Sequence, residues 1–292
     1  MKNQEPSRSA GIIAAHRTME SSKDEHQRVC YDPYARDFLP PGFTVIGPHD
    51  IPEDQALLFF KALVPGFHEF FIARTRYIDD HLQDCLNNGL EQLVILGAGY
   101  DSRAYRFNAL TDQIKVFEVD RPATQEVKKA KVFERFKALP AHVRYIPVDF
   151  VEKDFQTGLL ANGYDRQLKT LFIWEGVTMY ADAVTVEQTL DFIANNVGNG
   201  SGLIFDYTYP EVLAGTLERK EAKEWFKISQ KSDEPLLFGI SRDNIEKFLT
   251  DRGFSNVVSV SSEYFNAAYF TGVNQDREST PVLSLAHAQI KN

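Results

Sequence analysis

Apolar residues along this chain follow two different rhythms. Before about residue 89 they recur at helical spacing, over Ala10 to Met19, Glu53 to Leu63 and Phe67 to Asn87, which predicts helices there. The polar stretch Glu20 to Arg28, the turn at Asp32-Pro33 and the Pro/Gly-rich residues 40–52 separate them. From Leu90 the pattern changes to short apolar runs. Gln92 to Leu96 runs into Gly97-Ala-Gly99, Ile114 to Val119 ends at Asp120, Val143 to Val148 ends at Asp149, and Thr170 to Trp174 ends at Glu175. Gly202 to Asp206 makes a fifth strand, with Asn256 to Val260 and Pro281 to Ala286 as the last two. Between them lie helical stretches at Ala123 to Leu139, Val184 to Asn196 and Asp243 to Arg252, the last stopped by Gly253.

Unbroken apolar runs suit strands buried on both faces, and strands alternating with helices make a parallel α/β sheet. The expected fold is therefore Rossmann-like: a seven-stranded, mostly parallel, doubly wound sheet in one domain, 1–292. Its expected parts are N-terminal helices (1–89), a core (90–206), a helical lid insertion (207–240) and a C-terminal completion of the sheet (241–292). Ligands of such sheets bind beyond the carboxyl ends of the strands, where the glycines and acids are found.

The segment Leu96-Gly-Ala-Gly-Tyr-Asp-Ser-Arg103 lets the backbone approach a ligand closely. It lacks the third glycine of a dinucleotide loop, Arg103 standing in its place, and no G-K-[ST] ending follows. NAD and nucleotide triphosphates are thereby disfavoured. Asp120 is placed to accept from both ribose hydroxyls, with Glu118 on the same face but deeper as its competitor. Asp149 suits an adenine amino group, and Phe150 adds a backbone amide and an apolar wall. Tyr180, just past the fourth strand, is a candidate for orienting an acceptor oxygen. In the expected lid, Glu211 to Gln230 has helical spacing and carries Trp225 and Phe226 on an apolar face. With Tyr207 they are candidate walls of an acceptor pocket.

Composition removes several alternatives. The 292 residues carry a formal charge of −9, the wrong sign for a phosphate-binding surface, so no nucleic-acid partner is expected. Cys30 and Cys85 are the only cysteines and have no metal-ligand or disulfide spacing. No metal site is expected, and no signal peptide or membrane span is read; the expected location is the cytoplasm. Neither the seven His nor any Ser or Cys stands in a nucleophile-and-base motif.

Three stretches, Ile95-Leu-Gly-Ala-Gly-Tyr-Asp-Ser-Arg-Ala-Tyr-Arg106, Phe117-Glu-Val-Asp-Arg-Pro122 and Trp174-Glu-Gly-Val-Thr-Met-Tyr180, resemble the leucine carboxyl methyltransferase-like family. The resemblance extends to Tyr31-Asp-Pro-Tyr34 and Ala73-Arg-Thr-Arg-Tyr-Ile-Asp79 and thins after about residue 200. Its bacterial branch, with carboxyl O-methyltransferases of aromatic polyketide biosynthesis, is more similar than the branch that methylates the C-terminal leucine of a protein phosphatase. The resemblance implies S-adenosylmethionine as cofactor. It implies Arg74 on the methionine carboxylate, with Arg76 a rival and Arg17 a further neighbour, and Gly97, Ala98, Gly99 and Asp101 in the loop. Asp120 would lie at the ribose, Asp149 and Phe150 at the adenine, and Glu175 near the methionine end. A planar guanidinium suits a carboxylate because it holds both oxygens. The reaction implied is methyl transfer to a carboxylate or hydroxyl of a small molecule. A protein C-terminus as acceptor, or a silent cofactor-binding protein, are the alternatives.

Overall fold

The computed structural model describes residues 5–39, 43, 53–111, 114–148 and 155–291. Asp149, Phe150 and the stretch 40–52 apart from Phe43 lie outside the described residues. The strands are β1 (Gln92–Leu96), β2 (Lys115–Asp120), β3 (Val143–Pro147), β4 (Thr170–Trp174), β5 (Gly202–Thr208), β6 (Phe254–Val260) and β7 (Leu283–Ile290). They form one sheet in the order β3-β2-β1-β4-β5-β7-β6. Pairing is parallel from β3 to β5, and β7 is antiparallel to both neighbours.

Every residue of β1 and β4 is buried, as their unbroken apolar composition requires for strands covered on both faces. The edge strands β3 and β6 instead leave most of their positions partly or fully exposed. The strand order reverses between β1 and β4, which makes a crevice at their carboxyl ends.

The helices are α1 (Arg8–Ser21), α2 (Glu53–Leu63), α3 (Phe67–Asn87), α4 (Arg103–Arg106), α5 (Pro122–Phe136), α6 (Phe155–Ala161), α7 (Ala183–Asn195), α8 (Pro210–Leu213), α9 (Lys220–Gln230), α10 (Ile245–Thr250) and α11 (Ser262–Tyr269). Local chemistry sets their starts. The Ser7 hydroxyl accepts from Ala10 N–H at 3.2 Å to cap α1, the Asp182 carboxylate accepts from Thr185 N–H at 2.7 Å to cap α7, and Pro122 opens α5. No helix among the described residues is long and apolar enough to cross a membrane.

The structure departs from the sequence expectation after β5. The strand continues through Tyr207 and Thr208 because both keep pairing with β7, opposite Ser284 and Leu283. The single helix expected over Glu211 to Gln230 is two helices, α8 and α9. Gly215, at φ +66°, turns the chain out of α8, and Thr216 and Leu217 N–H both donate back to Glu211 O. Beyond α9 the chain returns over the sheet, Leu237 N–H donating to Met179 O at 2.8 Å and Ile240 N–H to Thr208 O at 2.9 Å. That return strap, not α9, reaches the crevice.

Candidate active site

At the carboxyl ends of β1, β2 and β4 lies a cavity of about 450 Å³. Its floor is the loop after β1. Gly97 and Ala98 N–H groups donate to Val119 O at 2.9 and 3.0 Å, binding that turn to the end of β2. Gly97 sits at φ +67°, and a Cβ there would collide with the Val177 side chain. Only glycine keeps both the left-handed turn and the cavity floor.

Asp120 ends β2 on the cavity wall. One carboxylate oxygen accepts from Arg121 N–H at 2.6 Å and the other from Gly99 N–H. The carboxylate is therefore fixed in position by the backbone on either side of it, and each oxygen keeps a lone pair for another donor.

A buried charge network forms the opposite wall. Arg74, on α3 and 2 % exposed, donates through Nε and Nη2 to Glu175 Oε1, each at 2.9 Å, and through Nη1 to Asp206. Glu175 Oε2 accepts from Arg103 at 2.7 Å, and Arg103 continues to Asp101 and, at 2.7 Å, to Asp79. Burial alone would raise the Glu175 carboxyl, but Arg74 and Arg103 hold it down at about 2. Glu175 is thus an anion inside the cavity. Three of the five guanidinium hydrogens of Arg74 are committed, which leaves two for a ligand. Arg17, from α1, also lines the cavity, held by Asp32 at 2.8 Å and by Tyr100 O at 2.5 Å.

Tyr180 forms part of the wall beyond β4. Its hydroxyl is pushed well up, first by burial and then by Glu234, so it remains a hydrogen-bond donor across the physiological range. Glu234, from the return strap, closes the roof. It accepts from Ser7 Oγ at 3.3 Å, from Ser9 Oγ, and from Arg121 at 3.0 Å.

Of the residues singled out from the sequence, Arg74, Gly97, Ala98, Gly99, Asp101, Asp120, Glu175 and Tyr180 all border this cavity. Four others do not. Glu118 is 0 % exposed, and its carboxylate is taken up by Lys128 at 2.8 Å and the Tyr105 hydroxyl at 3.0 Å, so of these two acids only Asp120 borders the cavity. Tyr207 lies within β5 and meets Ser259 at 3.0 Å. Trp225 packs its ring on Phe67 at 5.2 Å, and Phe226 packs beside Gly215. The rival Arg76 is exposed and paired with Asp80 at 2.8 Å. Asp149 and Phe150 lie outside the described residues.

The set of groups fits a zwitterionic nucleoside derivative. Cationic and anionic side chains adjoin at one end, a fixed carboxylate stands at the end of β2, and a glycine turn supplies a floor that a Cβ would fill. Asp206, which ends the fifth strand as the sequence alone is read, lies two residues inside β5 and meets Arg74 behind the cavity wall. Glu234 carried no sequence signal.

The leucine carboxyl methyltransferase family model matches residues 10–194. The chain is 30 % identical over 220 residues to YktD of Bacillus subtilis, provisionally named an S-adenosyl-L-methionine-dependent methyltransferase, covering 74 % of this chain and 71 % of that one. A Streptomyces coelicolor protein of the same provisional name is 31 % identical over 229 residues, 77 % of each chain. A crystal structure from Thermobifida fusca, titled as a methyltransferase provisionally, shares the fold with a TM-score of 0.60 at 14 % identity, over 99 % of this chain and 96 % of that one. The match takes in most of the chain and the cavity residues from Ala10 to Thr185, so this protein belongs to the leucine carboxyl methyltransferase family and is an S-adenosylmethionine-dependent methyltransferase.

Proposed function

We propose that the protein methylates an oxygen, of a carboxylate or a hydroxyl, on a small molecule. The supporting observation is the narrowing of the half-open cavity, a space of about 450 Å³ bridged where Glu234 clasps Ser7 and Ser9 at the start of α1. A folded protein surface does not enter such a space, whereas a small acceptor does.

When bound, S-adenosylmethionine supplies a methyl group on a cationic sulfur. The chain's own part is to bind and align. Arg74 and Arg17 would hold the cofactor's carboxylate, Glu175 and Asp101 its ammonium group, and Asp120 its ribose hydroxyls, with Gly97, Ala98 and Gly99 allowing close approach. Tyr180 would donate its hydroxyl proton to an acceptor oxygen and so set its direction. Val177 and Ala181, with Leu237 at the rim, exclude water from the same space. A carboxylate acceptor is already ionised at neutral pH, so positioning suffices for it.

The test is incubation with methyl-labelled S-adenosylmethionine and a panel of carboxylic acids and phenols, followed by mild alkali. Label released as methanol identifies a methyl ester, and alkali-stable label on oxygen identifies an ether. Label found only on nitrogen, sulfur or protein would overturn the reading.

A further inference from the structure

Against the glycine turn of the cavity floor lies a buried cation that the binding groups described above do not use. Lys128, on α5 and 1 % exposed, holds its ammonium 2.8 Å from Glu118 Oε2 and donates to Ala98 O at 3.3 Å. One helical turn earlier Gln125 Nε2 donates to Glu118 O at 3.0 Å, which fastens this face of α5 to β2. The Tyr105 hydroxyl completes Glu118 at 3.0 Å, and the Tyr105 ring lies 5.6 Å from the ammonium.

Stability is a poor account of this pair. Taking an ammonium and a carboxylate out of water costs about as much as their attraction returns, and a well-packed apolar pair would hold α5 to β2 as well or better. What an apolar pair would not supply is the contact on Ala98 O.

That oxygen belongs to the Ala98–Gly99 peptide, and the N–H of the same peptide is the Gly99 donor to Asp120. A planar trans peptide points its C=O and N–H in opposite directions, so an oxygen held by Lys128 on one side aims the hydrogen at Asp120 on the other. The oxygen also accepts from Asp101 N–H at 2.8 Å, the ordinary bond of the turn. With glycine next in the chain, sterics do little to stop this peptide turning over, and a turned peptide would face its oxygen to the carboxylate. A cation on the C=O also polarises the amide and strengthens its N–H as a donor. Burial pushes the Asp120 carboxyl up, and the Gly99 and Arg121 N–H groups, then the Lys128 charge, pull it back.

We propose that Lys128 is a positioning residue for the cofactor: through the Ala98–Gly99 peptide it sets the Asp120 carboxylate that receives the ribose. The proposal rests on the reading of Asp120 as the ribose acid given above.

The test labels alanine carbonyls with ¹³C and glycine nitrogens with ¹⁵N, so that three peptides alone carry both, Ala10–Gly11, Ala98–Gly99 and Ala214–Gly215. Expected in the ligand-free wild type is a Gly99 amide proton downfield of the other two, as befits an N–H on a carboxylate. Lys128→Met combined with Glu118→Gln removes both buried charges and strands neither. It should move the Gly99 signal upfield and weaken S-adenosylhomocysteine binding about tenfold in calorimetry. Glu118→Gln alone, which leaves the ammonium on Ala98 O, should keep both near their wild-type values. An unmoved Gly99 signal or unchanged affinity in the folded double variant, or the same losses in Glu118→Gln alone, would overturn the proposal. If the double variant does not fold, the wild type decides: with ¹⁵N-lysine, the Lys128 ammonium should show a coupling across its hydrogen bond to the Ala98 carbonyl carbon, and absence of that coupling would overturn it. Failure of the ribose reading is separately visible, as wild-type affinity in Asp120→Asn with the Gly99 shift of the double variant intact.

Discussion

Arg74 and Asp206 are 132 positions apart, yet their side chains, 2 % and 0 % exposed, form a buried ion pair that ties α3 to β5 behind the cavity wall. Removing the arginine would strand Asp206 and Glu175 as buried anions, a loss that typically costs about 3 to 5 kcal/mol. Arg74→Ala should therefore lower stability in urea denaturation by that order and abolish cofactor binding with it. Arg76→Ala removes a pair that is half exposed on both sides and should change stability by less than about 1 kcal/mol and binding not at all. A larger effect at Arg76 would mean that the helix faces the other way.

The Gly97 turn makes a second, separable forecast. Gly97→Ala introduces both a left-handed strain and a collision with Val177, so melting temperature and S-adenosylhomocysteine affinity should both fall. Adding Val177→Ala removes the collision and leaves the strain, about 1 to 2 kcal/mol, so the double variant should recover part of the loss. No recovery would show that the collision is not what excludes a side chain there.

Acid should destabilise the fold in two stages, opposed in part by Glu118, Asp120 and Asp206, which burial raises so that the folded chain takes up their protons first. Burial lowers His16, His68 and His287 below their usual 6.5, and lowers His81 to about 4. Between those values and 6.5 the unfolded chain binds protons that the folded chain does not, so stability falls as pH drops below 6.5. Each histidine contributes at most about 1.4 kcal/mol per pH unit. Glu175, held at about 2 against an ordinary 4.5, adds a second loss between pH 4.5 and 2, where only the unfolded chain becomes protonated. Melting curves from pH 8 to 3 test this, and a stability that rises on acidification from pH 7 to 5 would contradict it.

Much of this organisation was readable from hydrophobic pattern. β1, β4 and the three long N-terminal helices announce themselves by burial on both faces or by helical spacing, and the site acids Asp120 and Glu175 follow because strand ends meet the crevice. What escaped is what depends on contacts distant in sequence. Tyr207 reads as the start of a loop until its pairing with Ser284 extends β5. Glu118 and Asp120 share a strand face, and only Lys128, arriving from α5, decides which carboxylate is already satisfied. Trp225 has the spacing of a pocket wall, but the cavity is met by the strap carrying Glu234 and Leu237, whose sequence has no periodicity to read.

Glu234 should control how fast the cavity opens. Its carboxylate joins Ser7 and Ser9 of α1 to Arg121, so Glu234→Ala unfastens the roof without touching the floor. Stopped-flow displacement of S-adenosylhomocysteine should show faster dissociation by several-fold, in keeping with loss of about 1 kcal/mol of hydrogen bonding. An unchanged dissociation rate would place the entry route elsewhere.

The most direct test of the central claim, that S-adenosylmethionine binds in this cavity with its ribose on Asp120, is calorimetric titration of S-adenosylhomocysteine into the wild type and Asp120→Asn, with melting curves to confirm that both are folded. The expected result is one site per chain, weakened by about tenfold to a hundredfold in the variant, the worth of charged hydrogen bonds to two hydroxyls. Equal affinity in two folded proteins would contradict the assignment.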